Sequence, residues 1–105
     1  MRIDSLDLSI ADAGDDCLVT CGGDLDAASA TRFRDALDAL IELRPERIYL
    51  DCDDVSFIDP SGIGAVMHAA LACRAKGILL TASANDWLRR ILDSVGVASL
   101  ITLRS

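Results

Sequence analysis

Ser61 lies in the stretch "VSFIDPSGIG", residues 55–64, where a short apolar run gives way to a helical pattern. A hydroxyl there could act as a nucleophile, accept a phosphate, or simply occupy a helix's first turn. A nucleophilic serine needs a base within hydrogen-bonding reach. The single histidine, His68, comes seven residues later, about 10 Å along a helix axis, and is out of range. Asp59 is adjacent, but its position before Pro60 suits it to capping, with Pro60 at the first helical position. The chain has no Gly-rich phosphate loop with a lysine, no cluster with metal-ligand spacing and no nucleophile elbow. Catalysis, a metal and a cofactor are therefore not expected.

The phosphoacceptor reading fits the local pattern better. Gly62 and Gly64 are poor helix formers, each costing about 1 kcal/mol relative to alanine. Their missing side chains leave Ser61 open to another macromolecule. A phosphate there would add about −1.5 to −2 charges at a helix N-terminus, which tolerates anions. The fold should survive, whereas a partner packed flat on that surface would meet new bulk and charge.

The chain has 105 residues, enough for one domain spanning residues 1–105, and 51% of them are apolar. Its aromatic residues are Phe33, Tyr49, Phe57 and Trp87, so the core must be mainly aliphatic. The net charge of −7 disfavours nucleic acid and anionic lipid, which are held by clustered Lys and Arg. It suits a basic protein groove instead. "MRIDSLDLSI" lacks the basic start and continuous apolar stretch of a signal peptide. No apolar run approaches the roughly 20 residues that span a bilayer, so a cytoplasmic protein without membrane insertion is expected. Cys17 and Cys21 fall in one strand, about 13 Å apart at strand rise, too far for a disulfide or a shared metal. With Cys52 and Cys73 they are expected to be small buried thiols.

The elements that must position Ser61 follow from periodicity. Leu6, Leu8 and Ile10 alternate with polar residues as in a strand with one wet face, and "ADAGDD" turns it towards a second strand, "CLVTC". Phe33, Leu37, Leu40 and Ile41 mark one face of a helix that Asp26 is placed to cap and Pro45 follows. "RIYLDC" reads as a strand covered on more than one side. Ile63, Val66, Met67, Ala70 and Leu71 carry the helix after Ser61, with His68 near its inward stripe. "ILLTA" is a further strand. "NDWLRRILDSVG" is a short helix with Trp87, Leu88, Ile91, Leu92 and Val95 inward, and "SLITLRS" is a last strand. Strands alternating with helices imply a four- or five-stranded mixed sheet with three or more helices packed on it, an α/β fold with an antiparallel strand at one end. Right-handed crossovers bring Asp24 and Asp26, then Asp59 to Ser61, then Ser83 to Asp86 to one rim of the sheet.

Two segments, "GDLDAASATRFRDALDAL" and "IYLDCDDVSFIDPSGIGAVMHAALACRAKGILLTAS", resemble the STAS domain of bacterial anti-sigma factor antagonists. Gly23, Asp24, Leu25 and Asp26 match the family's start to the first helix. Asp59, Ser61, Gly62, Ile63 and Gly64 match the Asp-Ser/Thr-Ser-Gly-Leu-Gly motif that opens the next. The resemblance implies a partner switch. The unphosphorylated antagonist binds an anti-sigma factor with serine-kinase activity and so frees a sigma factor; phosphorylation ends binding, and a serine phosphatase resets it. It implies Ser61 as the phosphorylated residue, and Asp26, Asp59, Pro60, Ser61, Gly62, Ile63 and Gly64 as the partner-binding segment. Pro60 departs from the Ser or Thr usual at its position, and many members carry a further helix after the last strand. STAS domains also serve as soluble subunits of lipid-transporting ABC systems. That leaves docking on a transporter ATPase as the second reading.

Overall fold

The structure is a computed structural model that describes residues 4–104. Strands β1 (Leu6–Ala13) and β2 (Asp16–Leu25) form an antiparallel hairpin. Ala13 faces Asp16 across it, so Gly14 and Asp15 alone make the turn, with Gly14 at a φ of 80° that glycine adopts without a Cβ clash. The chain continues through α1 (Ala30–Glu42), β3 (Arg47–Ile58), α2 (Pro60–Ala75), β4 (Leu79–Ala84) and α3 (Asp86–Ser94). A single 3-10 turn, Val97–Ser99, precedes β5 (Thr102–Arg104). The sheet order is β1-β2-β3-β4-β5, parallel from β2 onward. This is the five-stranded mixed sheet with helices that the alternation predicts.

Burial alternates along the central strands. Cys17, Val19 and Cys21 of β2, Ile48, Leu50 and Cys52 of β3, and Leu80 and Ala82 of β4 are buried; Leu18, Tyr49, Leu79 and Thr81 between them are not. Each parallel step moves one strand further in the same direction, so right-handed crossovers place all three helices on one face. The other face is open. β3 is therefore covered on one side only, and its apolar run comes from a half-buried Tyr49 set among inward aliphatics.

Phe33, Leu37, Leu40 and Ile41 of α1 all reach the core, as their spacing predicts. Helix α2 differs in detail. Its inward surface is made of small residues, Gly62, Ala65, Ala69 and Cys73, with Val66 and Ala70, while Leu71 is 52% exposed. Because α2 is apolar on most sides, its pattern does not select a face; close packing selects the small side chains. In α3, Leu88 and Leu92 are buried and Ile91 is partly buried, but Trp87 and Val95 face outward. A nine-residue helix buries only a narrow i, i+4 stripe, and Trp87 lies about 100° around the helix from Leu88.

All four cysteines are buried free thiols. Cys21 and Cys52 meet across β2 and β3, and the hydrogen bond between them, with burial, pushes the Cys52 thiol well above its ordinary range. Burial pushes Cys73 up to about 11. The Cys21–Cys52 contact lies between strands, where spacing along one strand gives no hint of it.

Candidate functional site

The loops after β2, β3 and β4 gather at one rim, as the crossover rule requires. The strand ends and loops of that rim, residues 22–28, 51–63 and 83–88, hold Asp24, Asp26, Asp51, Asp53, Asp54, Asp59 and Asp86 and no Lys or Arg. The other acidic and basic residues balance, so the entire formal charge of −7 sits on this rim. Counting charges over the whole chain hides that asymmetry, and the topology brings the three segments together as the alternation of strands and helices predicts.

Asp59 joins two of the loops. It is the N-cap of α2, its Oδ1 accepting from the Gly62 N–H at 3.0 Å, with Pro60 at the first helical position. Its Oδ2 accepts from the Ala27 N–H at 3.0 Å, thirty-two residues away in the loop before α1. Gly62 makes the joint tight: a Cβ there would lie 2.1 Å from the Leu25 carbonyl oxygen. The β2–α1 and β3–α2 loops are thus locked together by one carboxylate and one missing side chain.

Asp26 is 1% exposed. Its carboxylate accepts from the Ala28 N–H at 3.0 Å, while the Ser29 hydroxyl accepts from the Asp26 N–H and donates to the Asp24 carbonyl. Asp26 therefore caps the turn that leads into α1, not the helix itself, which starts at Ala30 with Ser29 as N-cap. Asp26 and Gly62, which the resemblance implies as partner-binding, are both buried and shape the rim from beneath. Pro60, Ser61 and Gly64 are exposed, and Asp59 and Ile63 are half-buried.

Ser61 stands in the first turn of α2, and no hydrogen bond reaches its hydroxyl from the described residues. Nothing lies within 4 Å of a Cβ built at Gly64, one turn on, so the approach is open. Ser61, Gly64, Met67 and His68 line one wall of a groove of about 560 Å³; Ala27, Thr31 and Arg34 of the α1 side line the other. His68 lies further along α2, with Leu71 beyond it. Its Nε2 lies 3.0 Å from Asp38 Oδ1 and its Nδ1 3.5 Å from the Arg34 guanidinium. The histidine bridges α1 and α2 rather than serving Ser61. The sequence shows His68 near the inward stripe of α2 but not this cross-helix pairing.

The fold and the sequence both have known counterparts. The family profile described as "Mlab, STAS domain" matches residues 8–103. An anti-sigma factor antagonist from Mycobacterium paratuberculosis superimposes with a TM-score of 0.83 at 18% identity, over 94% of this chain and 85% of that one. The Bacillus cell fate determinant SpoIIAA in its phosphorylated form gives a TM-score of 0.74 at 16% identity, over 94% and 92%. A sulfate transporter family protein from Wolinella succinogenes gives 0.72 at 26% identity, over 82% and 71%. No curated protein matches the sequence.

Proposed function

Because this chain belongs to the STAS domain family, we propose that it is an anti-sigma factor antagonist whose partner binding is ended by a phosphate on Ser61. The observation that carries this reading is the exposed, unbonded Ser61 hydroxyl at the start of α2, flanked by open space at Gly64 and held on a rim that Asp59 locks. Similarity in fold to SpoIIAA, a protein known in unphosphorylated and phosphorylated forms, supports it. In this cytoplasmic switch the chain is a binding protein, not an enzyme. The partner is an anti-sigma factor with serine-kinase activity, and its release of a sigma factor follows from engagement of Pro60, Ser61, Ile63 and Gly64.

The partner kinase moves the γ-phosphoryl group of ATP to Ser61 Oγ; the hydroxyl proton passes to a kinase base and ADP leaves. A serine phosphatase hydrolyses the ester and restores the hydroxyl. The helix N-terminus tolerates the phosphate, so the fold persists. A flat contact over Ser61 does not, because the phosphate adds bulk and must be desolvated.

The likeness to a sulfate transporter family protein at 26% identity favours a role in transport as the second reading, and the form of it that the sequence resemblance implies is docking of the same rim on a transporter ATPase. One experiment separates them. Wild type and Ser61→Asp serve as parallel baits in native cytosol, and captured proteins are identified by mass spectrometry. The switch predicts a serine-kinase-like ATPase held by wild type and lost by Ser61→Asp. A transporter ATPase held equally by both would overturn it.

A further inference from the structure

A phosphate on Ser61 carries about −1.5 to −2 charges, and the start of α2 offsets only about half a charge. The rim around it holds seven aspartates and no Lys or Arg, so the remaining charge needs a cation from elsewhere. The groove beside Ser61 contains one. Among the described residues that line it, Arg34 is the one Lys or Arg. Arg34 is exposed, and the ion pairs among the described residues, Arg32–Asp4, Arg47–Asp16 and His68–Asp38, leave it without a carboxylate. Its guanidinium donates instead to His68 Nδ1 at 3.5 Å. That contact places the His68 hydrogen on Nε2, which donates to Asp38 at 3.0 Å. It is a long bond to a neutral acceptor. Arg–phosphate bonds run at about 2.7–2.9 Å and are roughly twice as strong as bonds between neutral groups.

Helices α1 and α2 both leave the rim and run the same way, so Thr31 and Arg34 face Ser61, Gly64 and His68 across the groove. Helical side chains lean towards the N-terminus, which tips Arg34 towards the Ser61 end. Ser61, Gly64 and His68 follow one another at i, i+3 and i+7 on one stripe of α2. Gly64 leaves open space between the other two, so no side chain there blocks the guanidinium on its way from His68 to Ser61. We propose that Arg34 is the counter-ion of phosphorylated Ser61: its guanidinium leaves His68 and takes the phosphate oxygens in the α1–α2 groove. The proposal rests on the reading of Ser61 as the phosphorylated residue and adds where the phosphate goes. A partner then meets an occupied groove as well as a charged loop. The charged and titratable groups around that position are Arg34 and Asp38 from α1, His68 and Asp59 from α2, and Asp26 in the loop between β2 and α1. Arg34 is the permanent cation among them.

The test uses the full chain with phosphoserine placed at position 61 during synthesis, so no kinase is involved. Phosphorus NMR follows the second ionisation of the phosphate, ordinarily near pH 6. A neighbouring guanidinium favours the dianion, so the wild-type midpoint should lie below that of Arg34→Gln by roughly half a pH unit, about a threefold difference in proton affinity. Arg34→Lys, a point charge without the planar fork, should fall between the two. Arg74→Gln removes an equal charge from the last turn of α2, thirteen residues beyond Ser61 and about 20 Å along the axis. Its midpoint should match that of wild type. The His68 ring nitrogen resonances should also move when Ser61 carries the phosphate, because Nδ1 loses its donor. Equal midpoints in wild type and Arg34→Gln, or an equal rise in Arg74→Gln, would overturn the proposal. The phosphoswitch itself is read from kinase capture, without the placed phosphate, so either reading can fall alone.

Discussion

Asp59 does two jobs with two oxygens. One caps α2 at Gly62 and the other holds the Ala27 amide of the neighbouring loop. Asp59→Ala removes both acceptors, and a loss of about 1–2 kcal/mol is expected in urea unfolding. Asp59→Asn keeps one acceptor oxygen and should lie between wild type and alanine. An equal loss in both would mean that charge, not acceptor geometry, holds the joint. At this scale the capping role was legible, because Asp before Pro is a local signal. The Ala27 bond was not, since its partners are thirty-two residues apart. Asp26 was half legible: residue type and position predict a cap, but not that the capped turn would bury the carboxylate.

Gly62 and Gly64 look alike in the motif, and α2 separates them. Gly62 faces the Leu25 carbonyl too closely for any Cβ, whereas Gly64 faces open space. Gly62→Ala is expected to cost about 1–3 kcal/mol through overpacking against backbone. Gly64→Ala should stabilise the helix by up to about 1 kcal/mol. Paired thermal denaturation checks this, and a stabilised Gly62→Ala would break the close-approach account. Element type and order were readable because 3.6-residue and two-residue periods persist over α1 and the strands. Which face turns inward was readable only where polar residues mark the other side, as in α1. In α2, apolar nearly all round, and in the short α3, packing decided. That is why Leu71, Trp87 and Val95 end outside.

Across the whole molecule, exposed ion pairs tie distant segments. Arg32 on α1 hydrogen-bonds Asp4 at 2.8 Å and holds its carboxyl down from 3.8 to about 2, helped by the Leu6 N–H. Arg47 at the start of β3 does the same for Asp16 at the start of β2, lowering its pKa. Depressed folded-state values mean that this stability is present above about pH 4 and is lost as pH falls through about 2. Arg32→Gln should unfold more easily than wild type near pH 6, and the difference should shrink on acidification towards pH 2. Exposure keeps the effect small. A gap that widened in acid would contradict the pairing. The rim's charge belongs to this scale too, since its seven aspartates come from three separate segments.

The sequence alone determined the α/β order, the mixed sheet, the aliphatic core and the serine at a helix start, because each rests on residues close together in the chain. The crossover rule also put the three loops on one rim, but only the tertiary structure decided that Asp26 and Gly62 are buried under it and that Phe57 and Trp87 are exposed. Those outcomes depend on which surfaces the sheet brings into contact, and contact between distant segments leaves no local period to read.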